Sequence, residues 1–302
     1  MRPNTALVIY VLVTFAGVQC LRILQSNDDG WAELYIRSLN DALLAAGHQV
    51  LLSAPAHDRS GTGNREREPW PLLVPGQYNS CPGNEQEFGR DQTRPDLYWV
   101  NSYPVTAARY GIELFAPSLW GARRRPDLVV AGPNVGSNLE HLHVSGTVAI
   151  AAYASSEGIP GIAFSGGSGG RLPWYTSPVP VRSEVYAALA ARLIDRITSG
   201  RKPYLPRDTL LNVNFPKVSE GHCSNPYDFK WVLSRVTSQS AAHPDVKTCG
   251  SERLPDERRV VTTPGCYISV TVVNSKDLRT ASKKEQKFVL DKLGNLLSCL
   301  PQ

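Results

Sequence analysis

Leu21-Arg22-Ile23-Leu24-Gln25-Ser26-Asn27-Asp28-Asp29-Gly30 is the stretch from which the rest of the chain can be read. A short apolar run turns abruptly polar, the pattern of a strand entering a loop. From Trp31 to Ala46 the apolar residues fall at Trp31, Leu34, Tyr35, Leu39, Leu43 and Leu44. That spacing is helical, and Gly47 supplies the stop. His48–Ala54 predicts a second strand. Strand, helix and strand in this order form a unit of parallel-sheet type.

The alternation continues downstream. Strands are predicted at Tyr98–Asn101, Asp127–Ala131, Gly161–Ser165 and Leu210–Phe215, with helices at Val105–Phe115, Val148–Glu157 and Ser183–Thr198. Residues 21–216 therefore read as one α/β core, an open, doubly wound, mostly parallel sheet between helices. Residues 61–96 are rich in Gly, Pro, Asn and charge, with little periodicity, and read as an excursion over its surface. After Pro216 the pattern changes. Residues 217–302 alternate polar, cysteine-bearing segments with short strands at Trp231–Val236 and Tyr267–Val273, and a closing helix is predicted at Lys283–Leu293. This part reads as a smaller β-rich C-terminal extension, either part of the same domain or a dimerisation region.

Composition narrows the function. The 302 residues are 42% hydrophobic and 20% charged, which excludes a disordered chain, a coiled coil and a polytopic membrane protein. The net charge of +5 is spread along the chain. Its one dense cluster, Arg123-Arg124-Arg125, reads as a solvated helix end, so no nucleic-acid partner is expected. At the N-terminus, Arg2 precedes an uncharged apolar stretch from Ala6 to Val18, then Gln19 and Cys20. Residues 1–20 thus have the layout of a secretory signal peptide. A buried first strand or a membrane anchor is the alternative, but spanning a bilayer takes about 20 apolar residues. A secreted chain, with no membrane association after signal removal, is expected. Cys81, Cys223, Cys249, Cys266 and Cys299 would remain, four of them in the last third, as in a disulfide-bearing secreted chain. The odd one would be free or intermolecular. No CxxC pair points to structural zinc.

In open α/β sheets, sites form at the carboxyl ends of the strands. The first strand ends in Asn27-Asp28-Asp29-Gly30, and two adjacent carboxylates between a strand and a helix repel each other. Either they hold a hard divalent cation or they cap a helix in solvent. The second strand ends in Ala54-Pro55-Ala56-His57-Asp58-Arg59-Ser60-Gly61. Ser60 there is a candidate metal or phosphate ligand, or an ordinary loop serine. His57 and Asp58 are adjacent, and adjacent side chains rarely point together. The third tip is Ala131-Gly132-Pro133-Asn134-Val135-Gly136-Ser137-Asn138, followed by Ser145-Gly146-Thr147 entering a helix. Small residues and a helix start suit an anion, though such a triplet also serves as a plain cap. Taken together, the three tips describe a pocket for a metal plus a phosphate. No P-loop or GxGxxG is present, and Gly166-Gly167-Ser168-Gly169-Gly170 lacks the context of a hydrolase nucleophile elbow.

On these residues the chain resembles the SurE survival-protein family of metal-dependent 5′-nucleotidases and acid phosphatases. Ile23 to Gly30 resembles its opening signature, and Ala54-Pro55 through Ser60-Gly61 its second. Gly132 to Asn138 with Ser145-Gly146-Thr147 is similar to the third. Gly158 to Ser165, Leu211 to Pro216 and Gly265 to Thr271 match later strands, all in the family's order. The resemblance implies a Rossmann-like three-layer α/β/α fold and a homodimer. It also implies a divalent cation, Mg2+ or Mn2+, on Asp28, Asp29, Ser60 and Asn134. Phosphate contacts carry over to Ser145, Gly146 and Thr147, with Asn134 and Asn138 beside them. The implied reaction is hydrolysis of nucleoside monophosphates or similar esters, with Asp28 and Asp29 as catalytic residues. Whether a carboxylate or an activated water attacks phosphorus stays open. The alternative is a secreted, non-catalytic binder of nucleotide or polyphosphate on the same fold. Val144 stands where the family often has Tyr, and Val272 where it usually has Pro. The long excursion and the cysteines are unlike compact bacterial members and look more like fungal acid phosphatases.

Overall fold

The centre of the sheet is made of strands with almost no exposed residue, as continuous apolar runs require when helices cover both faces. The computed structural model describes residues 20–238 and 244–301, so the predicted signal segment lies, apart from Cys20, outside the described residues. The chain runs β1 (Arg22–Ser26), α1 (Leu34–Ala45), β2 (Gln49–Pro55), β3 (Phe88–Arg90), β4 (Leu97–Val100), α2 (Pro104–Tyr110), α3 (Ala116–Trp120) and β5 (Leu128–Val135). It continues as α4 (Gly146–Ser156), β6 (Gly161–Gly166), α5 (Val181–Thr198), β7 (Thr209–Phe215), β8 (Lys230–Ser234), α6 (Glu257–Thr262), β9 (Tyr267–Asn274) and α7 (Lys283–Leu293).

Among the described residues these strands form one nine-stranded sheet in the order β3-β4-β2-β1-β5-β6-β7-β9-β8. Pairing is parallel except at β3–β4 and β7–β9. The architecture is the expected Rossmann-like, doubly wound α/β fold. Alternation along each strand feeds two core layers. Ile23 and Val130 pack with Tyr35 and Leu39 of α1 and Val185 and Leu189 of α5. Leu24 and Val129 pack on the opposite face with Ala107 and Ala108 of α2 and Ile150 and Ala154 of α4. A one-residue slip in β1 would exchange these sets, so both layers hold its register.

From β1 the sheet grows toward β2 on one side and β5 on the other. The strand order therefore reverses between β1 and β5, the place where open α/β sheets bind ligands. Ser26 pairs with Ala131 there, which sets Asn27–Asp29 beside the Gly132–Asn134 turn.

Several boundaries differ from the sequence reading. The predicted Val105–Phe115 helix is α2 followed by a wide helical turn over Gly111–Phe115 that leads into α3. Strand β5 continues past Ala131 to Val135, with its register on β6 shifting between Ala131 and Asn134. The 61–96 excursion contributes the edge strand β3, and it buries Leu72 and Cys81 against Trp31 and Trp99. Beyond residue 216, β8 and β9 join the same sheet, and α6 and α7 accompany them. Disulfides join Cys223 to Cys266 and Cys249 to Cys299, while Cys81 is a buried free thiol.

Candidate active site

The β1 tip is shaped by Asn27. Its side-chain amide donates to Gly30 O at 3.1 Å and its Oδ1 accepts from Gly30 N at 3.2 Å, closing a tight turn around the two acids. The carbonyl of Asp28 accepts from Arg59 N at 2.7 Å, which ties this turn to the β2 tip.

Both carboxylates are buried, and each is bound to a different remote element. Asp28 Oδ1 accepts a 2.5 Å hydrogen bond from Thr147 Oγ1 in the first turn of α4. Asp29 Oδ2 accepts from Val135 N at 2.8 Å at the end of β5, and its Oδ1 accepts from Arg171 Nε at 2.6 Å. Close approach of α4 needs a glycine. A Cβ on Gly146 would stand 2.8 Å from Asp28 Cβ and 2.9 Å from Asp28 Oδ2. The positive end of the α4 dipole thus faces the Asp28 carboxylate. Gly132 is needed as well, with φ +95 and a would-be Cβ 2.3 Å from Phe164 O.

Asn134 lies in the same cluster. Its Oδ1 is 3.4 Å from Thr147 Oγ1, and its Nδ2 donates to Gly136 O at 2.7 Å. Ser145 is the N-cap of α4, its Oγ accepting from Val148 N at 3.1 Å. As a hydroxyl it keeps a proton to donate elsewhere. Ser60 is held at the mouth. Its N and Oγ donate to Asp58 Oδ1 at 2.9 and 2.7 Å, and its Oγ accepts from Arg171 at 2.8 Å. Asp58 thus engages Ser60 and, at 3.3 Å, Arg171.

Asn138 occupies a different position. Its N donates to Asn214 Oδ1 at 2.9 Å and its Nδ2 to Ser165 Oγ at 2.8 Å. Its carbonyl accepts from Asn212 and Asn214. The residue braces the loop after β5 against the tips of β6 and β7, and none of these bonds goes to the acid pair.

Burial dominates the electrostatics. It pushes the Asp28 carboxyl above its ordinary range, partly countered by the Thr147 hydrogen bond. Asp29 rises to about 7 through burial and then the neighbouring Asp28 charge. A third acid, Glu33, is also fully buried and rises to about 8, by burial first and Asp29 second. Glu33 caps α1, accepting from Tyr35 N at 2.6 Å.

Two participants escaped the sequence reading. Arg171 follows the Gly166–Gly170 run, whose sequence lacks the context of a nucleophile elbow and points to no other role. A lone cation at the end of a glycine-rich strand tip was the available signal. Glu33 carried none, because nothing local tells a buried acid from one on the polar face of a helix. Away from this site, a cavity of 810 Å³ lies at the amino ends of β5, β6 and β7, lined in part by Asp127, Pro160, Tyr204 and Thr209. Of the three carboxylates that line it, Asp127, Glu157 and Asp208, Asp127 is paired with Arg22 and Lys202 and held down to about 2.

Fold and site together define a Rossmann-like α/β protein with a buried acidic, oxygen-rich site at its topological switch point. The family model "Survival protein SurE" matches residues 23–242, and the chain belongs to that family. It is 29% identical to an acid phosphatase of Yarrowia lipolytica, over 88% of this chain and 83% of that one. It is 36% identical to the 5′-nucleotidase SurE of Geobacter metallireducens, over 66% of each chain. Among solved structures, the SurE protein from Aquifex aeolicus matches the fold with a TM-score of 0.60 at 22% identity, covering 89% of this chain and 98% of that one.

Proposed function

We propose that this chain is a divalent-metal-dependent phosphomonoesterase of the acid phosphatase or 5′-nucleotidase type. The observation that carries the reading is the buried Asp28–Asp29 pair, set against the α4 N-terminus with Asn134 and Ser60 alongside. The relatives named acid phosphatase and 5′-nucleotidase support it.

The donor chemistry fits Mg2+ or Mn2+. Among the described residues no three His, Cys, Asp or Glu side chains are grouped so as to hold a metal ion, so the acid pair would be completed by neutral oxygens, Ser60 Oγ and Asn134 Oδ1. An all-oxygen set suits a hard cation. The raised proton affinity of both carboxylates also fits, since among the described residues Arg171 is the one cation bonded to the pair and offsets a single charge. When bound, the ion supplies Lewis-acid polarisation of a phosphoryl oxygen and acidifies coordinated water.

The chain's own residues bind and orient the ester. Ser145 donates its hydroxyl proton and the Gly146 and Thr147 N–H groups point from a helix start that favours negative charge, while the Thr147 hydroxyl keeps its proton on Asp28. These donors stabilise charge as it redistributes over the phosphoryl oxygens. Hydrolysis breaks the P–O ester bond; water supplies the new oxygen on phosphorus, and a proton goes to the leaving alcohol. Asn138 holds the loop that carries Asn134 in place. We infer an extracytosolic setting from the two disulfides. Among the described residues no helix is long and apolar enough to cross a membrane.

Turnover of p-nitrophenyl phosphate and AMP, with EDTA and in Asp28→Asn, tests the reading. Activity should vanish in EDTA and return with Mg2+ or Mn2+, and D28N should lose more than about 10²-fold. Full turnover in EDTA rejects the metal. Phosphate binding without any turnover makes the chain a non-catalytic binder.

A further inference from the structure

Arg171 commits all three guanidinium nitrogens to oxygens at this site. Nε donates to Asp29 Oδ1 at 2.6 Å, one Nη donates to Ser60 Oγ at 2.8 Å, and the other lies 3.3 Å from Asp58 Oδ2. Asp29 and Ser60 are two of the four residues assigned to the ion. The guanidinium and a divalent cation therefore seek the same oxygens.

The backbone around Arg171 allows one to replace the other. On its N-terminal side lies a glycine run in which Gly170 has φ +94 and a Cβ on Gly169 would meet nothing within 4 Å. On its C-terminal side the chain is pinned: Leu34 N donates to Leu172 O at 2.9 Å and Trp174 N to Ala32 O at 3.0 Å. The side chain is 36% exposed, whereas Asp29 is fully buried. The guanidinium can thus swing into solvent from a backbone that stays attached to α1.

We propose that Arg171 is a tethered counter-ion of the acid pair, held by Asp29 and Ser60 until a divalent cation takes those oxygens, so that its displacement sets the affinity for the cation. The inference rests on the metal-dependent reading above. A monocation offsets one of two adjacent negative charges and a dication offsets both, which favours the exchange. Breaking a charge-assisted, forked set of hydrogen bonds opposes it. Without the tether that opposing contribution disappears.

Calorimetric titration of Mn2+ into the wild-type protein, Arg171→Gln, Arg171→Lys and Asp29→Asn tests the affinity. R171Q should bind about tenfold tighter or more, by the size of one nearby charge at the effective dielectric of a protein surface. R171K, which keeps the charge and loses the fork, should fall between R171Q and wild type. D29N should bind much more weakly. NMR of the arginine Nε–H groups in wild type, titrated with Mg2+, reads displacement directly and needs no variant to fold. The Arg171 signal should lose its protection from solvent exchange with the same midpoint as ion binding. Equal or weaker binding by R171Q, or a protected Nε–H at saturating Mg2+, overturns the tether and leaves the metal reading intact. Binding by neither wild type nor R171Q overturns the metal reading, and the tether with it.

Discussion

Thr147 Oγ1 donates a 2.5 Å hydrogen bond to Asp28 Oδ1, joining the start of α4 to the tip of β1 across 119 positions of sequence. The bond aims one oxygen of a buried carboxylate and lowers its proton affinity against the rise that burial imposes. Thr147→Val should therefore misdirect Asp28 and leave its Oδ1 without a donor. The expected loss is about 10²-fold or more in kcat with the fold retained, and Thr147→Ser should keep most of the activity. Steady-state kinetics beside a far-UV CD spectrum checks both.

Gly146 lets that bond form. An added methyl would sit 2.8 Å from Asp28 Cβ and 2.9 Å from Pro104 Cγ, so α4 or the β1 tip must shift. Gly146→Ala should cost about 1–3 kcal/mol of stability, in the range of overpacked cores. At Gly200, where a Cβ would find its nearest atom 3.9 Å away at Lys292 Nζ, the same change should stay within about 0.5 kcal/mol. Urea midpoints compare the two.

Glu257 makes stability depend on pH. It is fully buried on α6, accepts from Asn212 Nδ2 at 2.7 Å, and rises from 4.5 to about 8 through burial. The facing carboxylate, Glu140, adds to the rise, although Arg258 is paired with it. Between pH 4.5 and 8 the folded chain keeps a proton on Glu257 that the unfolded chain has released. That contribution is complete below the lower value and is lost as pH rises through the upper one. Glu33 and Asp29 act in the same direction. The melting temperature should fall from pH 5 to pH 8, and Glu257→Gln should shrink the fall by at least about 2 °C. An unchanged slope in E257Q would remove Glu257 as a cause.

The two disulfides brace the last third of the chain. Cys223–Cys266 links the segment after β7 to the start of β9, and Cys249–Cys299 holds the tail beyond α7. Their separations of 43 and 50 residues place each at about 2–4 kcal/mol of stabilisation. Replacing either pair with serines should lower the urea midpoint accordingly. Cys81, buried and pushed up to about 11, should react with a thiol reagent only after unfolding, as read by mass spectrometry of its peptide.

Most helices and central strands were legible because their signals are local. Helix α7 occupies Lys283–Leu293 as predicted, since its apolar spacing and the Ser282–Glu285 capping box lie within a few residues of each other. Strand β3 was not legible, because Phe88-Gly89-Arg90 has no buried face of its own and is a strand only through pairing with β4. The extension of β5 was hidden by Gly132-Pro133, a dipeptide that reads as a turn. At the site, Asp28, Asp29 and Asn134 stood out as polar residues at strand tips, and Thr147 as part of a triplet entering a helix. Arg171 did not, since its partners Asp29 and Ser60 are 142 and 111 positions away.

Apolar periodicity and strand-tip chemistry were enough to establish an α/β core and to nominate the acids, amides and hydroxyls at its edge, because backbone preference and side-chain alternation act over a few residues. Which of those groups meet was decided by strand order. Placing β5 beside β1 sets Val135 N against Asp29 and α4 against Asp28, while the loop after β6 brings in a guanidinium. Hydrogen bonds and charge pairing act through space within a few ångströms, so they depend on packing that no stretch of neighbouring residues encodes.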